Sequence, residues 1–126
     1  MSKERIELGK SGEELAVELL KKNGFKILER NFRTKFGEID IIALEKDTLC
    51  FVEVKSRSSL RFGSGFEAVS GLKQKQIARP ALIYLKDKNL LDKKARFDVI
   101  SLTGPEGFQK IELIRNAFEL SSSFTY

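Results

Sequence analysis

Apolar residues recur along the chain at two intervals, which together predict two amphipathic helices and five strands. Residues 9–23 repeat them at the spacing of an α-helix, with Ser11 as the candidate N-cap and Asn23-Gly24 as the stop signal. A second helix is predicted from Ser70 to about Asp87, and Pro80 within it implies a kink or a restart. The predicted strands are residues 25–33, 38–44, 49–55 and 95–102, and residues 110–118 form a last strand or extended segment.

The order of these elements predicts the sheet. A short polar turn, Glu45-Lys46-Asp47, separates residues 38–44 from residues 49–55, so these two strands form an antiparallel hairpin. The second helix then leads to residues 95–102, as a crossover between parallel strands does. We therefore predict an α/β fold with a mixed central sheet flanked by helices. Residues 1–120 are predicted to form a single domain and residues 121–126 a frayed tail.

The candidate chemistry lies in the predicted hairpin. Because side chains alternate along a strand, Glu53 and Lys55 share one face of residues 49–55, and the opposite face is wholly apolar. Asp40 on the neighbouring strand can lie close to Glu53 across the pair. Carboxylates hold a hard cation that activates water, and a lysine can steady the nucleophile or the pentavalent phosphate, so the set predicts a metal-dependent phosphodiesterase. The alternative is that Glu53 and Lys55 form an ordinary surface pair.

A third carboxylate is available on the first helix. On the helical wheel Glu13 lies at the edge of the apolar stripe and Glu14 on the opposite side. The side chain of Glu13 can therefore point toward the core and supply a third carboxylate beside Asp40 and Glu53. The alternative is that it only complements the helix dipole.

The amino-acid composition limits which metal ions the chain can bind. The chain has no histidine and a single cysteine, Cys50, so carboxylates are the credible ligands and Mg²⁺ or Mn²⁺ the expected cofactor. One cysteine makes no internal disulfide, and no signal peptide or membrane span is visible. We therefore expect a cytoplasmic protein.

Positive charge is concentrated directly after the candidate site. The window from residue 54 to residue 86 has a net charge of +6 and the rest of the chain −1, which together give the net charge of +5. This distribution favours a polyanion such as DNA, although a solvated basic helix and loop would look the same. Phe36, Phe62 and Phe66 lie among basic loop residues and can stack on unpaired bases, whereas Phe51, Phe97 and Phe118 fit strand alternation and are expected in the core. The predicted nucleic-acid contacts are Arg33, Lys35, Arg57, Arg61, Lys73 and Lys75.

Several short stretches together resemble a known family. They include residues 9–13, 24–25, 30–33, 37–40, 51–57, 61–63, 96–100 and 115–118. The chain resembles the restriction-endonuclease-like PD-(D/E)xK superfamily, and within it the YraN-like family of predicted bacterial nucleases. In motif spacing it is similar to archaeal Holliday-junction resolvases.

This resemblance implies a core of order αβββαβ. It also implies metal-site roles for Glu13, Asp40 and Glu53 and a catalytic role for Lys55. The superfamily often adds a polar residue on the second helix, where Gln76 or Lys73 stands in this sequence.

The expected function is that of a magnesium-dependent endonuclease that cleaves structured DNA, either branched or damaged. The alternatives are a module that binds nucleic acid without cutting it, and an accessory protein of a repair or processing complex. Cutting both strands of a junction needs two active sites, which a homodimer would supply. Its interface is expected at the second helix near Tyr84 and at the C-terminal segment with Phe118 and Phe124.

Overall fold

The fold is described from a computed structural model, which covers residues 11–57, 71–105 and 109–118, with side chains for all of these except residues 57 and 71–75. The second predicted helix and all five predicted strands are present, and the first helix is confirmed within the described residues. The elements are α1 (Gly12–Lys22), β1 (Lys26–Thr34), β2 (Gly37–Glu45), β3 (Thr48–Arg57), α2 (Gly71–Asp87), β4 (Ala95–Thr103) and β5 (Lys110–Phe118).

Local sequence determines both ends of α1. Ser11 is the N-cap: its hydroxyl accepts a hydrogen bond of 3.1 Å from the Glu14 N–H, and the Glu14 side chain reaches back to complete a capping box. Asn23 is the C-cap, and Gly24 follows with a φ of +88°, a conformation that glycine adopts without strain. The predicted N-cap and stop signal are thus confirmed.

The five strands form one mixed sheet in the order β1-β2-β3-β4-β5. β3 and β4 pair in parallel, and the other neighbouring strands pair antiparallel. α2 forms the crossover between the two parallel strands. The predicted antiparallel hairpin and the mixed sheet are therefore both confirmed.

Two apolar cores lie on opposite faces of the sheet. Cys50 and Val52 face the core beneath α1, whereas Phe51 and Phe97 face the core beneath α2. The predicted alternation along β3 is confirmed, and Glu53 and Lys55 therefore belong to the face that α2 covers. Phe118 stacks on Phe97 with 4.7 Å between ring centroids, which confirms the core interpretation of these rings.

α2 runs continuously through Pro80, so the predicted restart does not occur. A proline inside a helix removes one hydrogen bond and costs about 3 kcal/mol. Here the residue is fully buried, and its ring packs beside Gly37 at the start of β2. Packing of α2 against the sheet offsets the local cost.

Some predictions fall on other parts of the chain. The frayed tail at residues 121–126, the basic loop at residues 58–65 and the first two residues of the predicted helix 9–23 lie outside the described residues. Among the helices that the structure describes, none is long and apolar enough to cross a membrane.

Candidate active site

Asp40 and Glu53 meet where β2 and β3 stop pairing. The ladder between these strands runs from the Glu45–Thr48 pair to the Ile41–Val52 pair, and the same register puts Asp40 opposite Glu53. Beyond the last backbone pair, a side chain of β2 bonds to the backbone of β3: the Oδ2 atom of Asp40 accepts a hydrogen bond of 2.8 Å from the Val54 N–H. That N–H belongs to the peptide joining Glu53 to Val54. The carboxylate of Asp40 is therefore held one peptide unit from Glu53.

Glu53 and Lys55 extend the site along β3. Glu53 is only 6 % exposed, whereas glutamate side chains are mostly exposed in folded proteins. Lys55 is half-buried on the same face of the strand. In the parallel ladder with β4, Glu53 pairs with Val99 and Lys55 pairs with Ser101. Lys55, Glu53 and Asp40 thus belong to the same end of the sheet.

The backbone of β2 is irregular where the pairing of β2 with β3 ends, and we call this place the opening between the two strands. Ile39 and Ile42 both pack on the α2 side of the sheet, whereas Ile41 packs on the α1 side. Regular alternation would place residues 39 and 41 on the same face, so the alternation is interrupted at Asp40. On β1, Asn31 stands opposite Asp40, between the Arg30–Ile41 and Phe32–Ile39 pairs, and has a φ of +53°.

Glu13 lies on the first turn of α1 and contacts β1. Its Oε1 accepts hydrogen bonds from Arg30 Nε at 2.9 Å and from Asn31 Nδ2 at 3.0 Å. Within the described residues, no three acidic, histidine or cysteine side chains lie close enough together to hold a metal ion. The metal-ligand role of Glu13 therefore stays a prediction. Its contact with Asn31 connects it to the strand position opposite Asp40.

Sequence reasoning missed the role of Asn31. Asparagine is depleted in strands, but it is enriched among residues of positive φ. An asparagine within a predicted strand is the signal that could have revealed an irregularity there. Ser101 and Thr103 on β4, which share a hydrogen bond of 3.3 Å, are buried polar residues beside β3 that sequence reasoning did not single out.

The predicted nucleic-acid contacts are only partly described. Arg33 and Lys35 are exposed near the β1–β2 turn, and Arg33 Nε donates to Glu38 Oε2 at 3.0 Å. Gln76, the auxiliary residue, is exposed on α2. Arg57 ends β3 and Lys73 and Lys75 belong to α2, but their side chains, like all of Arg61, lie outside the described residues.

An ion network occupies the opposite end of the sheet. Glu45 accepts two hydrogen bonds from Arg115, at 2.9 and 2.7 Å, and another from Arg96. Arg96 also donates to the fully buried Asp98, whose Oδ1 accepts the Asn116 N–H at 2.8 Å. Asp98 therefore has a structural role in this ion network, at the end of the sheet away from the candidate site.

The donor set at the site suits a hard cation. Asp40 and Glu53 offer carboxylate oxygens, and Mg²⁺ is commonly bound through one or two carboxylates with several waters retained. Cys50 offers no alternative, because burial raises the pKa of its thiol to about 12 and keeps it protonated. Asp40 and Glu53 thus fit Mg²⁺ or Mn²⁺.

The helix and strand order, the mixed sheet and the opening between β2 and β3 define an α/β protein with a restriction-endonuclease-like core. A model of the family described as "Uncharacterised protein family UPF0102" matches residues 12–102. The chain belongs to this family, which confirms the YraN-like resemblance.

Relatives in the family match this chain almost from end to end. A UPF0102 protein of Geobacter metallireducens is 50 % identical over 121 residues, covering 96 % of this chain and 99 % of the relative. One from Syntrophus aciditrophicus is 48 % identical, covering 94 % and 93 %. Another from Dictyoglomus turgidum is 49 % identical, covering 89 % and 97 %.

Proposed function

We propose that this protein is a metal-dependent endonuclease that hydrolyses phosphodiester bonds in structured DNA. The observation that carries the proposal is the hydrogen bond from the Val54 N–H to the Asp40 carboxylate, which holds Asp40 beside the buried Glu53. Lys55 follows two residues after Glu53 on β3, so the proposed set of two carboxylates and a lysine belongs to two neighbouring strands. A phosphodiesterase needs this combination of cation ligands and positive charge.

The side chains have separate tasks in this proposal. Asp40 and Glu53 would hold Mg²⁺ or Mn²⁺, and the bound cation supplies an activated water and neutralises charge at the phosphate. Hydrolysis joins a water oxygen to phosphorus and breaks the bond to the leaving sugar oxygen, which takes up a proton. Lys55 stabilises the negative charge that develops on the phosphoryl oxygens. The Val54 N–H prevents Asp40 from rotating away.

Two variants test these roles with a matched control. Lys55→Ala is expected to lower cleavage about 10²- to 10³-fold, the effect of removing one preorganised stabiliser of charge. The exposed Lys94, which is only loosely paired with Asp47 at 3.8 Å, provides the control Lys94→Ala, expected to cleave like the wild type. The assay compares branched, single-stranded and duplex DNA with Mg²⁺ or Mn²⁺.

Calorimetry separates metal binding from chemistry. Mn²⁺ binding should survive in Lys55→Ala, because lysine is not a ligand, and should be lost in Asp40→Asn. Unchanged Mn²⁺ binding in Asp40→Asn would place the metal elsewhere. Equal cleavage by the wild type and Lys55→Ala would reduce Lys55 to a surface residue.

A second candidate is a module that binds nucleic acid without cutting it. It is favoured by the contacts of Glu13, which bonds to Arg30 and Asn31, while the described residues contain no cluster of three ligands. Salt-dependent DNA binding by the wild type, with no cleavage of any substrate under either metal, would select this candidate.

A further inference from the structure

Phe36 is an exposed aromatic ring that the proposed chemistry does not use. It lies in the turn between β1 and β2 and is 43 % exposed, and it is the one aromatic among the exposed large apolar side chains of the described residues. An exposed aromatic ring beside the candidate site offers a surface on which a planar group can stack.

Two cations lie over this ring in cation–π contact. The Lys35 Nζ atom lies 5.3 Å from the ring centroid, and the guanidinium carbon of Arg79, on α2, lies 5.2 Å from it. Positive neighbours repel a cationic ligand and disfavour a purely apolar one. They favour a ligand that combines a flat aromatic group with negative charge, which is the chemistry of a nucleotide.

The turn that carries Phe36 is held in place. The Phe36 N–H donates to Thr34 Oγ1 at 3.0 Å, and that hydroxyl donates to the Gly37 carbonyl at 3.1 Å. Gly37 has a φ of +142°, and a Cβ at this residue would lie 2.6 Å from the backbone oxygen of Gln76. The turn therefore packs directly on α2, and the ring is presented in a fixed place rather than on a free loop.

The ring also lies at the end of the sheet that holds the candidate site. Phe36 is four residues before Asp40, so the Cα atoms of the two residues are at most about 13 Å apart. This distance is spanned by about four stacked nucleotides of one strand. Arg79 places the ring on the α2 side of the sheet, which is also the side of Glu53 and Lys55.

We propose that Phe36, with Lys35 and Arg79, forms a platform on which an unpaired base of the nucleic acid stacks. The inference rests on the proposed function, because it names the feature of the substrate that this end of the molecule recognises. The ring supplies stacking that every base accepts, and the two cations attract the neighbouring phosphates. The preferred substrate is therefore DNA with a single-stranded segment beside the bond to be cut.

Binding measured without metal tests the platform independently of cleavage. The full chain in EDTA is titrated with a single-stranded oligonucleotide containing 2-aminopurine and with a blunt duplex. Phe36→Ala is expected to weaken single-strand binding about tenfold, within the range found for loss of one stacked base, and to abolish the change in 2-aminopurine fluorescence. Duplex affinity should change less than twofold.

Two further variants act as controls, and a third tests the contribution of Arg79. Phe36→Tyr should bind like the wild type because it keeps the ring, and Leu91→Ala should do so because Leu91 is exposed on the turn that precedes β4. Arg79→Ala should flatten the salt dependence by about one phosphate contact. Thermal unfolding of Phe36→Ala close to that of the wild type shows that the variant is folded.

The outcomes separate this inference from the proposed function. Wild-type single-strand affinity in Phe36→Ala, or an equal loss on duplex and single strand, overturns the platform even if the protein cleaves DNA. Selective loss of single-strand binding supports the platform even if the wild type cleaves nothing, in which case the nuclease proposal fails alone.

Discussion

At the scale of single residues, Asn31 is the position on which the geometry of the site depends. Its left-handed backbone lies opposite Asp40, and its amide donates to Glu13. Residues other than glycine pay about 1–2 kcal/mol for this conformation, and asparagine is among those that tolerate it best. Asn31 therefore makes two contributions: it adopts the left-handed backbone conformation, and its side chain donates a hydrogen bond to Glu13.

Substitutions can separate these two contributions. Asn31→Gly keeps the backbone conformation and loses the bond to Glu13, whereas Asn31→Ala loses both. We expect Asn31→Ala to lower the free energy of unfolding by about 1 kcal/mol more than Asn31→Gly, measured by urea denaturation. If Glu13 contributes to the site, both variants should also cleave DNA more slowly than the wild type.

Asn89 provides the matched control. It has a φ of +58° and lies exposed just after α2, away from Glu13. The Ala and Gly variants of Asn89 should show the same difference in stability with no effect on cleavage. Equal stability of Asn31→Ala and Asn31→Gly would contradict the role assigned to the backbone of Asn31.

At the scale of elements, the ion network joins three strands. Glu45 ends β2, Arg96 is the second residue of β4 and Arg115 lies on β5, so one carboxylate connects β2 to β4 and to the edge strand β5. Hydrogen bonds from Arg115, and further contributions from Arg96, lower the pKa of Glu45 from 4.5 to about 2. When the pH falls through about 2, the Glu45 carboxylate becomes protonated and its ion pairs with Arg96 and Arg115 weaken.

The lowered pKa predicts a specific loss of stability in acid. The contribution of Glu45 is fully present above pH 4.5 and is lost as the pH falls through about 2. The pKa difference alone corresponds to about 3 kcal/mol of the free energy of unfolding. Because Arg115 is 44 % exposed and its charge is screened by water, we expect a measured contribution of about 2 kcal/mol.

Urea denaturation of the wild type and Glu45→Gln at several pH values measures this contribution. The two free energies of unfolding should differ at pH 7 and converge as the pH falls toward 2. Asp92→Asn, which changes an exposed carboxylate on the turn before β4, is the control and should follow the wild type. A difference between wild type and Glu45→Gln that stays constant with pH would contradict the role of this network.

At the scale of the whole molecule, β1 and β5 are the edge strands of the sheet within the described residues. Sheet edges offer unpaired backbone groups to another strand. Tyr84, expected near a dimer interface, is only 6 % exposed and meets Phe32 edge-on in the core. Phe118, on β5, is partly buried against Phe97. Of the two expected contributors, the edge that carries Phe118 is therefore the more accessible.

We expect a symmetric dimer if the protein cuts both strands of a branched substrate, since one chain supplies one site. Light scattering at micromolar concentration, with and without a four-way junction, measures the mass directly. Cleavage products from labelled strands show whether the two cuts are paired. A monomer in both conditions that still cleaves would instead indicate nicking of single strands or flaps.

Patterns that depend on nearest neighbours could be predicted from the sequence. The alternation along β3 determined which face carries Glu53 and Lys55, and the short turn after β2 determined that Asp40 and Glu53 lie on neighbouring strands. Ser11 and Asn23-Gly24 determined where α1 begins and ends. Each of these results follows from backbone geometry over a few residues, which the chain carries wherever it folds.

Tertiary structure decided the features that depend on distant partners. Continuity of α2 through Pro80 reflects packing against Gly37, more than forty residues away, and the partners of Glu13 came from β1 rather than from its own helix. The local opening at Asp40 arises where Asn31, Asp40 and Val54 meet from three strands. Local propensity is worth a few kcal/mol at most, so packing and hydrogen bonds between elements outweigh it at such positions.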